Sequence, residues 1–143
     1  MRWGFNIFPA YRGTGGRVTH IADDWHEVRV KLPLNWRTKN YVGTIFGGSI
    51  YGALDPIYML MLINILGRDY IVWDKAAAIR FKRPGQETLR ATFVLTPAEI
   101  AAIKDDLRAT KSLDRVYTVE LKNAQGKVHA IVEKTLYIAR KER

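Results

Sequence analysis

Ile45-Phe46-Gly47-Gly48-Ser49-Ile50-Tyr51-Gly52-Ala53-Leu54-Asp55-Pro56-Ile57-Tyr58-Met59-Leu60-Met61-Leu62-Ile63-Asn64-Ile65-Leu66 is apolar or small at nearly every position. About 20 such residues are enough to cross a bilayer. Asp55 and Pro56 stand in the middle, however, and a carboxylate near a bilayer centre costs about 2.5–3.5 kcal/mol on insertion scales. A helix apolar on all sides and buried at the heart of a soluble fold accounts for the same residues without that cost, so no membrane span is expected. Pro56 lacks a backbone donor and predicts a kink or a division, with Asp55 capping the second half. The helix is expected to begin near Ser49, after Gly43, Gly47 and Gly48, and to close at Gly67, whose tolerance of positive φ suits a C-terminal cap.

Outward from this segment the period changes from helical to twofold. Val28, Val30 and Leu32 alternate with Glu27, Arg29 and Lys31 until Pro33, and Arg17 to Ile21 predicts a partner strand across an Asp23-Asp24 turn. After the helix, Ala77, Ile79 and Phe81 oppose Arg80 and Lys82, and Leu89, Ala91, Phe93 and Leu95 oppose Arg90 and Thr92. Thr96-Pro97-Ala98-Glu99 combines a capping box with Pro at the first helical position, and Ile100, Ile103 and Leu107 follow at helical spacing. Tyr117, Val119 and Leu121, the Asn123-Ala124-Gln125-Gly126 turn, and Val128, Ala130 and Val132 complete a hairpin. Six strands and one buried helix predict an α+β domain, an antiparallel sheet wrapped around a long central helix with a short helix inserted between strands. The 143 residues suffice for a single domain, 1–143.

Composition narrows the chemistry. With no cysteine, disulfides, thiolate nucleophiles and sulfur-ligated zinc are excluded, and the chain is compatible with a cytoplasmic location. The formal charge of +9 favours anionic partners. Yet the basic residues are spread along the chain with no run of four, unlike a nucleic-acid-binding tail, so nucleic acid is not the expected partner. The opening Met1 to Pro9 is too broken by Gly, Asn and Pro to read as a secretory segment. Gly13-Thr14-Gly15-Gly16-Arg17-Val18 lacks the last glycine of a dinucleotide loop, and Gly47-Gly48-Ser49-Ile50-Tyr51 lacks that of a nucleophile elbow. His20, His26 and His129 fall on separate elements without ligand spacing, so no metal site is expected.

The stretch from Asn40 to Asp55 is the one that suits a reaction. Free N–H groups at a glycine-rich helix N-terminus, here Gly47 and Gly48, supply hydrogen bonds and positive dipole to a developing oxyanion. Asp55, about two turns along an apolar helix, would meet a dry pocket that tunes it toward a useful base. Two other roles are open: Asp55 as a helix cap, and the two glycines as points of close backbone packing. Asn40-Tyr41-Val42-Gly43, Gly47-Gly48 and Asp55 resemble the signature of the hotdog-fold acyl-CoA thioesterases of the phenylacetyl-CoA and 4-hydroxybenzoyl-CoA type, with Phe46 where that signature has His. Ile79 to Pro84 looks like the strand after the helix in that fold, and the resemblance runs from about Arg17 to Ile138, nearest to an uncharacterised branch.

The resemblance implies hydrolysis of an acyl-CoA or acyl-carrier-protein thioester. Gly47 and Gly48 would be the oxyanion donors, Asp55 the base or nucleophile, and Asn40 would orient the carbonyl or the water. It implies no cofactor beyond coenzyme A as part of the substrate, and a homodimer or dimer of dimers sharing its sites. Arg37 and Lys39, flanking the Asn40 loop, and Arg80, Lys82 and Arg83, on the strand beside the helix, are candidates for the coenzyme A phosphates. Asp74 and Lys75 either support the active site or pair at a strand start. The alternative function is a non-catalytic acyl-CoA or lipid-binding protein on the same fold; a hotdog dehydratase is disfavoured because the helix carries no His–Glu pair.

Overall fold

The alternating stretches build one antiparallel sheet of six strands around the apolar helix. The computed structural model describes residue 6 and residues 9–141; residues 1–5, 7 and 8, which hold most of the opening segment tested for export, lie outside the described residues. In chain order the elements are α1 (Pro9–Arg12), β1 (Arg17–Ile21), β2 (Glu27–Leu32), α2 (Gly47–Leu54), α3 (Ile57–Leu66), β3 (Tyr70–Phe81), β4 (Leu89–Val94), α4 (Pro97–Ala109), β5 (Ser112–Lys122) and β6 (Val128–Arg140). The strands lie in the order β1-β2-β4-β5-β6-β3.

Pro56 divides the apolar segment, as its missing donor dictates. The helix enters at Gly47, two residues earlier than the glycine pattern suggests, and α3 closes at Gly67, whose φ is 84°. Asp55 does not cap the second half. Its backbone is αR, at φ −53° and ψ −53°, whereas a capping residue needs an extended backbone to turn its side chain onto the following N–H groups. No side chain caps α3, and the Asp55 carboxylate is left for other partners. By length and composition Gly47–Leu66 could span a membrane. In this fold it is the core helix: Ile50, Leu54, Ile57, Met61 and Leu62 are buried in one cluster with the inward residues of the sheet. Inserted α4 has the expected cap, the Thr96 hydroxyl accepting from the Glu99 N–H at 3.1 Å, and buries Ile100, Ile103 and Leu107.

The two edges of the sheet differ. On β1, the Asn6 side-chain amide pairs with Val18, donating to its carbonyl at 3.0 Å and accepting from its N–H at 2.8 Å, which blunts a five-residue edge. The opposite edge, β3, is 12 residues long. A bulge between Asp74 and Ala76 shifts its phase, so Val72 and Asp74 face inward before it, and Ala77, Ile79 and Phe81, in register with β6 Lys134, Val132 and Ala130, face inward after it. The alternation read from the sequence predicts a buried row for the last three. Ala77 is exposed instead, and Phe81 is 57% exposed, whereas Val72 is buried in the core, so the inner face of β3 is covered at its start and open toward its end.

Candidate active site

Three segments converge on the N-terminus of α2. The Ile45 N–H donates to the Gly85 carbonyl at 2.8 Å, and the Phe46 N–H donates to the Thr38 carbonyl at 2.6 Å, so the helix entry is clamped between the end of β3 and the loop before it. Glycine at 85 permits this approach, since a Cβ there would stand 2.9 Å from Ile45 Cδ1. His129 holds the other side of the clamp: its carbonyl accepts from the Lys82 and Arg83 N–H groups, and its ring Nδ1 lies 2.9 Å from the Pro84 carbonyl. The result is a groove of about 390 Å³ lined by Gly47, Ile50, Phe81, Lys82 and Arg83 among others.

Gly47 and Gly48 open α2, and the first intrahelical donor is Ser49, to the Phe46 carbonyl at 3.0 Å. Among the described residues no group accepts from the Gly47 or Gly48 N–H, as expected of the first turn of a helix. The Phe46 ring lies across Gly48, where a Cβ would stand 2.5 Å from Cε1, so the absent side chain at 48 is what lets the ring fold over the helix end. Lys82 and Arg83 thus share one groove with Gly47. Arg37, its guanidinium 5.1 Å above the Trp36 ring, and Lys39, bridged to Ile45, flank the clamp on the far side. Arg80 is in register with Ile131, one place out of phase with the inward Ile79, and projects from the outer face of the sheet, apart from the others.

Asn40 serves its own loop. Its Oδ1 accepts from the Val42 and Thr44 N–H groups at 3.1 and 3.0 Å, and its Nδ2 donates to Thr44 Oγ1 at 2.8 Å, a closed turn that leaves Gly43 at φ 86°.

Asp55 meets a partner that the sequence reading did not single out. Its Oδ1 accepts from the Tyr51 hydroxyl at 2.9 Å, one turn back on α2, and from Lys134 Nζ at 2.6 Å, from the middle of β6. Lys134 is 1% exposed, and Asp74 Oδ1 stands 3.1 Å from the same ammonium, at an angle that makes an ion pair without a well-formed hydrogen bond. Lys75, displaced by the bulge, turns away and pairs with Asp114 at 2.8 Å. Asp74 and Lys75 therefore have separate roles. The pocket around Asp55 is not dry in the single chain: its side chain is 44% exposed.

The electrostatics follow from burial and charge. Burial is the largest influence on Lys134 and pushes its ammonium down, but the hydrogen bond to Asp55 and the attraction of Asp55 and Asp74 together outweigh it and hold Lys134 above its ordinary value. Burial pushes Asp74 up, against the pull of Lys134. Tyr51 is raised by burial and by its bond to Asp55, and stays a neutral donor. No group of three or more His, Cys, Asp or Glu side chains suited to a metal occurs among the described residues.

Comparison with known proteins gives the fold a family. A domain of unknown function, DUF4442, matches residues 2–138. The chain belongs to the DUF4442 family. No curated protein matches it in sequence. Among solved structures, this DUF4442 chain is similar to a Pseudomonas aeruginosa protein of unknown function described as a probable thioesterase, at 17% identity and TM-score 0.85, covering 98% of this chain and 93% of the other. A Chlorobaculum tepidum protein of unknown function follows at 14% identity and TM-score 0.77, with 98% and 92% covered. A Haemophilus influenzae thioesterase matches at 14% identity and TM-score 0.70, with 96% and 87% covered. At such identities the likeness establishes the fold, the hotdog arrangement of a sheet wrapped on one helix, which this DUF4442 member shares over nearly its whole length.

Proposed function

We propose that this protein hydrolyses the thioester of an acyl-CoA or an acylated carrier protein, and that each site is completed by two copies of the chain. What carries the reading is the Asp55 carboxylate, which caps no helix, is held through one oxygen, and opens at a face no element of its own chain covers. The names of two structural neighbours as thioesterases support the reaction class.

Helix geometry argues for the shared site. Gly47 and Asp55 are eight helical steps apart, about 12 Å along the axis at roughly 1.5 Å per residue. A base acting through one water and a donor holding the same carbonyl stand within three contacts of about 3 Å each. The two groups of one chain are thus too far apart for a single thioester. A twofold pairing of antiparallel helices sets Asp55 of one copy against the helix N-terminus of the other, and the long bare β3 edge with exposed Ala77 and Phe81 is the surface it would cover. Static light scattering at micromolar concentration should give a dimer or a dimer of dimers; a monodisperse monomer removes the shared site.

In the reaction, Asp55 takes a proton from water, the hydroxyl oxygen attacks the thioester carbon, and the oxyanion is met by the Gly47 and Gly48 N–H groups. The C–S bond then breaks, and the leaving thiolate recovers the proton from Asp55. Direct attack by the carboxylate, followed by hydrolysis of the mixed anhydride, is the other course open to the same atom. Lys82 and Arg83 in the groove, with Arg37 and Lys39 across the clamp from them, suit the phosphates of coenzyme A. Charge reversal at Lys82 and Arg83 should raise KM and its salt sensitivity while leaving kcat within about twofold. An unchanged KM counts against this patch.

Binding without hydrolysis is the second reading, and the 2.6 Å ion pair between Asp55 and Lys134 favours it, since it gives the carboxylate a structural partner within its own chain. Hydrolysis of acyl-CoAs of graded chain length separates the two. Turnover of one length class supports the enzyme, and saturable binding with no thiol release supports the carrier. A cytoplasmic site of action fits either.

A further inference from the structure

Buried lysines are rare unless paired, and Lys134 sits at the inward phase of β6 between Val132 and Leu136, both fully buried. Groups reach it from every element packed around it: Tyr51 and Asp55 from α2 and its end, Asp74 from β3 and Tyr117 from the facing position of β5. Tyr117, pushed up by burial, is a neutral neighbour. A core contact alone would be met by Leu or Met here, so the ammonium calls for a polar purpose.

Both donors to Asp55 land on one oxygen. Tyr51 and Lys134 bond Oδ1, and among the described residues no hydrogen bond or ion pair reaches Oδ2. We propose that Lys134 is a positioning residue for Asp55, its buried ammonium fixing Oδ1 and turning Oδ2 toward the open face as the atom that meets water or thioester. This inference rests on the hydrolytic reading of the site and adds to it which oxygen acts and what aims it. Asp74 completes the device by sharing the ammonium, so the two carboxylates and one lysine form a coupled unit with a single net negative charge.

The sharing makes opposite predictions for two substitutions. Lys134→Met keeps the length and removes the charge, leaving two carboxylates side by side, so the pair should bind protons more readily. Its 13C carboxyl titration, and the acidic limb of kcat/KM, should move up by about 1–3 pH units. Asp74→Asn removes the competing carboxylate and should move both down. In Lys134→Met kcat should fall at least about tenfold with KM little changed, the mark of a group acting in the chemical step rather than in binding. A merely structural lysine would also move the titration and lower the melting temperature, because its charge is lost either way, but the folded variant would keep kcat within about twofold of wild type. If Lys134→Met does not fold, Asp74→Asn decides alone: a downward shift supports the proposal, and an unmoved titration overturns it. The carboxyl titration does not need turnover, so it still tests the coupling of Lys134 to the two carboxylates if the wild-type protein hydrolyses no thioester; that result would overturn the function and leave the coupled unit to stand or fall by the shift.

Discussion

Asp55→Asn is expected to lower thioester turnover by at least about 10²–10⁴-fold, the usual loss when a positioned base or nucleophile is removed. Substrate binding should survive, because the groove at Gly47, Lys82 and Arg83 is built from other segments. So should the fold. The amide has the same shape, its oxygen can still accept from Tyr51 and Lys134, and Lys134 keeps Asp74 as an ionic partner. Replacing a charged acceptor by a neutral one at a carboxylate that is 44% exposed should cost about 1–2 kcal/mol, a small part of a typical 5–15 kcal/mol. Melting temperature and kcat measured together check this. A fall of a few degrees with lost turnover supports catalysis, while near-normal turnover makes Asp55 a structural partner of Lys134 and leaves the binding reading ahead.

Much of this architecture is legible in the sequence because single-face burial writes a period of two. Val28, Val30 and Leu32 of β2 and Leu89, Ala91 and Phe93 of β4 are buried in the alternation they announce, and Thr96 to Glu99 names a helix start through a local hydrogen bond. Local signals failed where the backbone changes phase. The bulge between Asp74 and Ala76 switches the inward face of β3 from even to odd positions, so Tyr70-Ile71-Val72-Trp73 does not continue the pattern of Ala77, Ile79 and Phe81 and the strand is read about seven residues short.

The site was partly legible for a similar reason. Gly47, Gly48 and Asp55 stand out because a glycine pair at a helix entry and a carboxylate inside an apolar helix are locally anomalous. Lys134 carries an equal anomaly. It occupies the apolar phase of Val128, Ala130, Val132, Leu136 and Ile138, and a lysine at such a place demands carboxylates. Which carboxylates could not be read, because Asp55 is 79 residues away and meets it only through the fold. Asn40 is ambiguous from sequence: an Asn near Gly in a loop suits a reacting site and a self-bonded turn equally, and in the fold its amide bonds Val42 and Thr44.

The shared site is tested most directly by mixing two defective chains. Gly47→Pro removes one oxyanion donor at the first helical position, where proline is tolerated, and Phe46 already has the extended backbone, φ −59° and ψ 132°, that a following proline requires. Alone it should lose about 10²–10³-fold in kcat. Combined with Asp55→Asn in a purified heterodimer, one of the two sites regains an intact Asp55 from the Gly47→Pro chain and an intact Gly47 from the Asp55→Asn chain. The heterodimer should therefore recover about half the wild-type activity, as the two-site symmetry of such a dimer requires. A heterodimer no more active than its two parents would contradict the account.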